Sequence, residues 1–417
     1  MPDRMRSLSA RLFGFGSLPL LASLAPLLLL GIVTRSCSIE QWAALSVGQA
    51  VGSFATSAVM FGWQVVGPPA IALAKTEEIR AGVYASSWWM RLLLLILVTP
   101  CSAILAAALS PPETAALAAI MCASAALSGL SMTWYAIGLG RPGLITAYEV
   151  LPRLSSLAIG AAMVAVTCRA IWYPACAILG VVVAQILFHR SLFSRFFPAP
   201  PGREALRSAA RLSVPGAGVI LIAGARSAAP VPAATFVGDA GQVALLSSAD
   251  RLYRYGLFSA SALGDALQNW VLEDALRGRR HAIAVGLHIV LGVVGGLLLI
   301  WAGPLASRLL FGDHLEAPVT MFIGYAAAFF FVSVGTPIVR NVLVPRGRTR
   351  VVLVCDMIGL SCGAAAALPM IEKFGCAGIP LALAVAEGVA ASGYVLMALR
   401  ARRVGADGDP IGSTTTS

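Results

Sequence analysis

About twelve apolar stretches run through this chain, and its arginines gather in every second gap between them. A membrane-crossing helix takes ~20 apolar residues, and Lys and Arg collect in the short loops on the cytoplasmic side. The alternation therefore predicts a polytopic membrane protein and assigns a side to each loop. Of 417 residues, 58% are hydrophobic and 12% charged, against about 25% charged in soluble domains. Spans are expected near 13–33, 43–72, 88–110, 114–138, 146–168, 171–189, 212–233, 243–271, 283–303, 317–342, 351–371 and 377–399. The fold class that follows is an all-α membrane protein: about twelve transmembrane helices in two six-helix bundles around a central cavity.

Sorting charge by side fixes the orientation. Arg4, Arg6 and Arg11 precede the first span, and Lys75, Arg80 and Arg91 fill the second gap. Arg141 follows the fourth span; Arg190, Arg195, Arg203, Arg207 and Arg211 follow the sixth. Arg277, Arg279 and Arg280, then Arg346, Arg348 and Arg350, then Arg400, Arg402 and Arg403 complete that side. The opposite gaps hold only Arg35, Arg169, Arg308 and Lys373. Both termini are expected in the cytoplasm, so the number of spans is even. The apolar run from Leu12 to Val33 exceeds the ~7–15 residues of a signal-peptide core, and a retained first helix is expected.

The longest gap, 190–211, is basic and proline-rich. It predicts a cytoplasmic linker between an N-terminal bundle (1–189) and a C-terminal one (212–403), with a disordered tail over 404–417. A short internal repeat agrees: Arg11-Leu12 opens the first span and Arg211-Leu212 the seventh, while Arg141-Pro142-Gly143 and Pro345-Arg346-Gly347 follow the fourth and tenth. The net charge of +11 sits in loops beside apolar spans, where it sets topology, so no nucleic-acid partner is expected. Eight scattered cysteines without a C-x-x-C pair and four histidines without ligand spacing predict packing residues; no metal and no cofactor is expected.

Charges inside spans cost about 2.5–3.5 kcal/mol each on insertion scales, so their positions point to function. The eighth span is the clearest case. At roughly 100° per residue, Ser247, Asp250, Arg251, Arg254, Ser261, Asp265 and Gln268 fall on one face, with Leu, Phe and Ala elsewhere. Such a face lines either a packed interface or a wet cavity. Asp250 and Arg254 stand at i, i+4 and could satisfy each other; Glu149 and Arg153 have the same spacing at the start of the fifth span. Arg226, Arg340 and Arg35 are further buried or span-end charges, and Asp356 and Glu387 are isolated acids. Asp250, Asp265, Asp356 and Glu387 are each a candidate proton or sodium site, or a packing partner. Arg35, Arg153, Arg226, Arg251, Arg254 and Arg340 outnumber the acids available to neutralise them. A cavity lined this way favours a phosphate-bearing or otherwise acidic substrate, because guanidinium engages phosphate bidentately.

Four segments carry a resemblance. They are Thr34-Arg35 followed by a span closing on Phe61-Gly62; Gly129-Leu-Ser-Met-Thr-Trp134-Tyr135-Ala-Ile-Gly138-Leu-Gly-Arg141; Phe236-Val-Gly238-Asp-Ala-Gly241 leading to Ala249-Asp250-Arg251-Leu-Tyr253; and Leu343-Val-Pro345-Arg-Gly347-Arg-Thr-Arg350. In this order and spacing they resemble the polysaccharide-type flippases (O-antigen and capsule repeat-unit translocases) of the multidrug/oligosaccharidyl-lipid/polysaccharide exporter superfamily, over about residues 10–400. The resemblance implies a transporter in a bacterial cytoplasmic (inner) membrane that moves a polyprenyl-diphosphate-linked oligosaccharide to the outer leaflet. It also implies membrane lipids and the glycan polymerase or glycosyltransferases of the same pathway as candidate partners. The chain departs from the family pattern at Asn269-Trp270, where a proline is usual, and lacks the two extra helices of the related lipid II flippases. Two other classes stay open. One is a cation-coupled drug antiporter of the same superfamily. The other is an integral-membrane glycan polymerase or ligase, which the short outer loops and the lack of any nucleophile or nucleotide-sugar motif disfavour.

Overall fold

The computed structural model describes residues 27, 29–272 and 278–406, and every regular element among them is a helix. Arg4, Arg6, Arg11, Pro26, Arg277, the tail beyond residue 406 and most of the first span lie outside the described residues. Among the described residues nine segments are long and apolar enough to cross a membrane, and the last, Thr349–Arg400, holds two helices joined by the Gly375–Ala377 turn. The 33-residue helix Ala240–Leu272, the expected eighth span, is long enough but its charged stripe keeps it out of that set. With 29–36, the described end of the first span, these segments account for the expected twelve. Lipid-facing composition agrees: Leu93, Ile96, Leu97, Ile104, Leu298 and Trp301 are apolar side chains turned outward.

The helices divide into two compact units. One comprises the described residues up to Leu252 together with Ala302–Met321; the other comprises Tyr253–Trp301 and the residues from Phe322 onward. The division falls inside Ala240–Leu272, so each unit holds part of the polar stripe.

In the first unit, helix ends follow capping chemistry rather than hydropathy. Ser38 and Gln41 form a reciprocal capping box that starts Ile39–Met60, satisfying two backbone donors that would otherwise be orphaned. Thr76 caps Glu77–Ala108, with Glu77 and Glu78 in its first turn, where the helix dipole favours acids. The third span therefore begins well before residue 88, and Arg91 is not in a gap. It lies inside the helix and is fully buried.

The second span breaks after Met60. Phe61 (φ 44°) and Gly62 (φ 83°) both adopt left-handed backbone before Trp63–Leu73 resumes. Gly62 is needed twice over. A side chain there would be strained by its φ, and its Cβ would sit 2.5 Å from the Ser213 carbonyl oxygen of helix Arg203–Ala228. The indole of Trp134 fills the space beside Gly67, where a Cβ would lie 2.2 Å from the ring. Trp134 also meets Trp63 at 5.1 Å and Tyr84 at 6.1 Å, within a buried cluster that includes Trp88, Tyr135 and Phe188.

Gly62→Ala should lower thermal stability in detergent by about 1–3 kcal/mol, the usual cost of a side chain forced into such backbone. Gly82→Ala, which meets nothing within 4 Å, should be neutral or slightly stabilising in its helix. Equal melting curves for the two variants would contradict this account of the break.

Candidate functional site

The fourth span is discontinuous, and its break gathers the polar groups of the first unit. Helix Ala115–Leu127 tightens into a turn at Ser128–Leu130, stops, and restarts as Thr133–Gly138. An interrupted membrane helix frees carbonyls and N–H groups that must find partners within the protein. Arg91 supplies one set: its Nη1 donates to the Gly129 carbonyl at 3.0 Å and the Ser131 carbonyl at 2.7 Å, and its Nε to Ser87 Oγ at 3.1 Å. Its guanidinium also lies 5.6 Å from the Trp134 ring, close enough for cation–π attraction. Its Nη2 is buried and finds no hydrogen-bond partner among the described residues.

Glu149 supplies the other set. Ser131 Oγ donates to its carboxylate at 2.7 Å and Thr133 Oγ1 at 2.5 Å, while the Thr133 N–H donates to Ser131 Oγ. Ser131 thus stands between a buried cation, held by its carbonyl, and an acid, held by its hydroxyl. The i, i+4 ion pair of Glu149 with Arg153 does not form; Glu149 lies in a π-turn, Thr146–Val150, and its carboxylate is taken up by Ser131 and Thr133. Arg153 is exposed and lines the same small cleft, about 40 Å³, with Ser128, Ser131, Tyr148, Glu149 and Gln185. Gln185 donates to the Leu130 carbonyl at 3.0 Å and leaves its own oxygen buried without a partner among the described residues.

The stripe on Ala240–Leu272 is graded. Ser247 and Asp250 are buried, Arg251 and Arg254 half-buried, and Ser261 and Asp265 exposed. In the first unit, the Arg251 guanidinium lies 4.5 Å from the ring of the fully buried Trp42. In the second unit, Arg340 pairs with Asp265 and approaches the Ser261 carbonyl at 3.5 Å. Arg340 belongs to a second π-turn, Val339–Leu343; such turns recur at functional positions.

The remaining candidates occupy separate settings. Arg35, exposed at the end of the first span, donates to the Leu309 carbonyl in the last turn of helix Gly278–Phe311, where a cation complements the helix dipole. Arg226 is half-buried in Arg203–Ala228. Asp356 is 7% exposed and accepts a 2.5 Å hydrogen bond from Tyr394, and Glu387 is equally buried.

Several polar residues here escape a spacing-based search. His189 donates from Nδ1 to the Phe196 carbonyl at 3.0 Å, so its Nε2 accepts from Tyr84 OH at 3.0 Å. His281 bonds the Asn341 carbonyl at 3.2 Å, and His288 bonds the Ala284 carbonyl at 2.8 Å. Their partners are carbonyls, which no ligand-spacing rule detects. The signal for Arg91 was present: Thr76-Glu77-Glu78 is a helix start, which places residue 91 well inside. All eight cysteines are free. Burial, and the neighbouring Cys168, push the Cys37 thiol up to about 11, so it is a poor nucleophile. Among the described residues no group of three or more His, Cys, Asp or Glu could hold a metal ion.

No family model matches the chain, and no curated protein matches it by sequence. Its fold is similar to solved transporters. The inward-facing structure of a multidrug resistance MATE family transporter of the MOP superfamily aligns with a TM-score of 0.73 at 15% identity, over 93% of this chain and 96% of that one. The inward closed structure of the lipid II flippase MurJ aligns with a TM-score of 0.71 at 14% identity, over 93% and 87%. The eukaryotic MATE transporter AtDTX14 aligns with a TM-score of 0.56 at 12% identity, over 94% and 96%. The chain thus has the MATE and MurJ transporter fold.

Replacing Arg91 by Met removes three charge-assisted bonds and orphans both carbonyls, a loss on the order of 3 kcal/mol or more. Asp265→Asn weakens a part-exposed ion pair and should cost under about 1 kcal/mol. Thermal unfolding in detergent compares them directly, and an Arg91→Met loss no larger than that of Asp265→Asn would refute the clamp.

Proposed function

We propose that this chain is a membrane transporter that flips a polyprenyl-diphosphate-linked oligosaccharide from the inner to the outer leaflet for cell-surface polysaccharide synthesis. The observation that carries the reading is the stripe of Ala240–Leu272, a membrane-length helix bearing Arg251 and Arg254 on one face with Ser247 and Gln268. Arginine kept at such depth is costly unless function requires it, and its planar fork suits a diphosphate. In this mechanism Arg251, Arg254, Arg153 and Arg226 hold the head group while the lipid tail stays in the bilayer. The carrier then exposes the bound head group to the other leaflet by alternating access. Proton or sodium uptake at Asp250, Asp265, Asp356 or Glu387 resets the carrier.

Arg251 is matched to this role by its neighbour. The Arg251 guanidinium lies 4.5 Å from the Trp42 ring, within cation–π range, and arginines held over aromatic faces are suited to phosphate recognition. The reading also takes support from the fold, which a lipid flippase and multidrug transporters share. An enzyme acting on the same lipids needs a domain or long loop to carry its catalytic groups. The longest connection between consecutive helices among the described residues is only 194–202.

A second reading, cation-coupled drug antiport, is favoured by the buried acids of the second unit, Asp356 with its Tyr394 hydrogen bond and Glu387. A buried carboxylate suits an organic cation or a coupling proton as well as it suits the reset step of a flippase. The stripe itself carries two arginines and two aspartates, so the effect of removing an arginine, rather than its net sign, separates the two readings.

In proteoliposomes, wild-type protein should translocate a fluorescent polyprenyl-diphosphate oligosaccharide, and Arg254→Ala should slow this by about tenfold or more, the loss of one charged hydrogen bond. Cationic dye efflux without flipping would transfer the assignment to the antiporter. Intact transport in folded Arg251→Ala and Arg254→Ala would remove those arginines from the site.

A further inference from the structure

We infer that the 190–211 connection, with the ends of the helices it joins, is a binding site for anionic phospholipid headgroups at the membrane surface. Arg190, Arg195, Arg203, Arg207 and Arg211 are all exposed, and Glu204 is the only acid among them. None of the five pairs with a carboxylate among the described residues. Arg203, Arg207 and Arg211 stand at i, i+4, i+8 on helix Arg203–Ala228, so they form one stripe. That stripe climbs about 12 Å along the axis, and the apolar, membrane-crossing part of the same helix begins at Gly216. Arg211 therefore sits about 8 Å before the apolar segment, near the phosphates, with Arg207 and Arg203 successively further out along the axis.

A loop that only set topology would need charge and nothing more. This one is fixed in place. Helix Trp172–Phe193 ends on Ser194 in left-handed backbone (φ 54°), whose N–H returns to the Arg190 carbonyl. His189 donates to the Phe196 carbonyl and the Trp89 indole donates to the Pro198 carbonyl, each at 3.0 Å. On the far side, Leu206, Ala209 and Ala210 pack on the same aromatic cluster as Trp88 and Phe188, which leaves the arginine stripe facing outward.

What this anchoring presents is amphiphilic. Phe196 and Phe197 are 53% and 58% exposed, side by side, and the Arg190 guanidinium lies 4.7 Å from the Phe196 ring. Exposed aromatics beside arginines at the end of membrane helices match the interfacial layer, where rings enter the acyl boundary and guanidinium groups reach phosphate. Basic clusters next to a span gain about 1 kcal/mol per residue from an anionic leaflet. Five unpaired arginines and two outward phenylalanines therefore select phosphatidylglycerol- or cardiolipin-like lipids over zwitterionic ones. The site is separate from the arginines assigned to transport, and its occupancy does not depend on that assignment.

Native mass spectrometry of the full chain, released from micelles containing equal phosphatidylglycerol and phosphatidylcholine, reads lipid retention directly. Wild-type protein should retain phosphatidylglycerol preferentially by about tenfold. The triple variant Arg203→Gln, Arg207→Gln, Arg211→Gln should fall to near parity, and Phe196→Ala with Phe197→Ala should weaken retention of both lipids. A control that removes the same charge elsewhere, Arg346→Gln, Arg348→Gln, Arg350→Gln, should keep the preference. Unchanged selectivity in the stripe variant, or an equal loss in the control, would overturn the site. So would retention of a polyprenyl diphosphate but not of phosphatidylglycerol.

Discussion

A polar group inside a bilayer has no water to fall back on, and the first unit of this protein is organised around that constraint. The fourth span is interrupted between Leu130 and Thr133, and one buried cation, Arg91, takes up the carbonyls that the interruption frees. Ser131 and Glu149 satisfy the restarting helix from the other side. The buried aromatic cluster around Tyr84 and Trp134 packs beside this arrangement. The left-handed break at Phe61-Gly62 lets Trp63 and Gly67 close on Trp134. Two broken spans are thus locked by one cluster, and Arg91 is its electrostatic centre.

The second source of order is the charged helix Ala240–Leu272. Its stripe changes character along its length. Toward one end the polar groups are buried and Arg251 rests on Trp42; toward the other, Asp265 and Arg340 meet where solvent or ligand can reach them. A helix with charge at this depth gains little from packing alone, since paired buried ions roughly offset their own desolvation. The π-turns place Glu149 and Arg340 at positions that a regular helix would not give them. Irregular backbone and costly charge coincide in both units.

Much of this was legible in the sequence. Apolar run length placed the helices, because crossing hydrocarbon demands length before anything else, and the 100° periodicity gathered the eighth-span stripe before its partners were known. Arg340 and Asp265 came from separate spans on the same argument, and the fold joins them. Hydropathy puts Arg91 in a loop because Ser86-Ser87-Trp88-Trp89 dilutes it just where the helix is already well under way. The Glu149–Arg153 pair followed from ideal helix spacing, but Glu149 lies in a π-turn and takes Ser131 and Thr133 instead. Such turns depend on what neighbouring helices demand, which a single sequence does not display. His189, His281 and His288 were opaque for a different reason: each bonds a backbone carbonyl, and backbone leaves no residue-type signature.

The arginine-bearing stripe is proposed to take an anionic, phosphate-bearing head group. Trp42 reports on it, since Arg251 lies 4.5 Å from its ring. Titrating a short-chain polyprenyl diphosphate into purified protein, and subtracting the signal of Trp42→Phe, should give a saturable change in Trp42 emission that Arg251→Ala abolishes. A lipophilic cation of similar size should give no such change. Saturation by the cation, with no response to the diphosphate, would contradict the account.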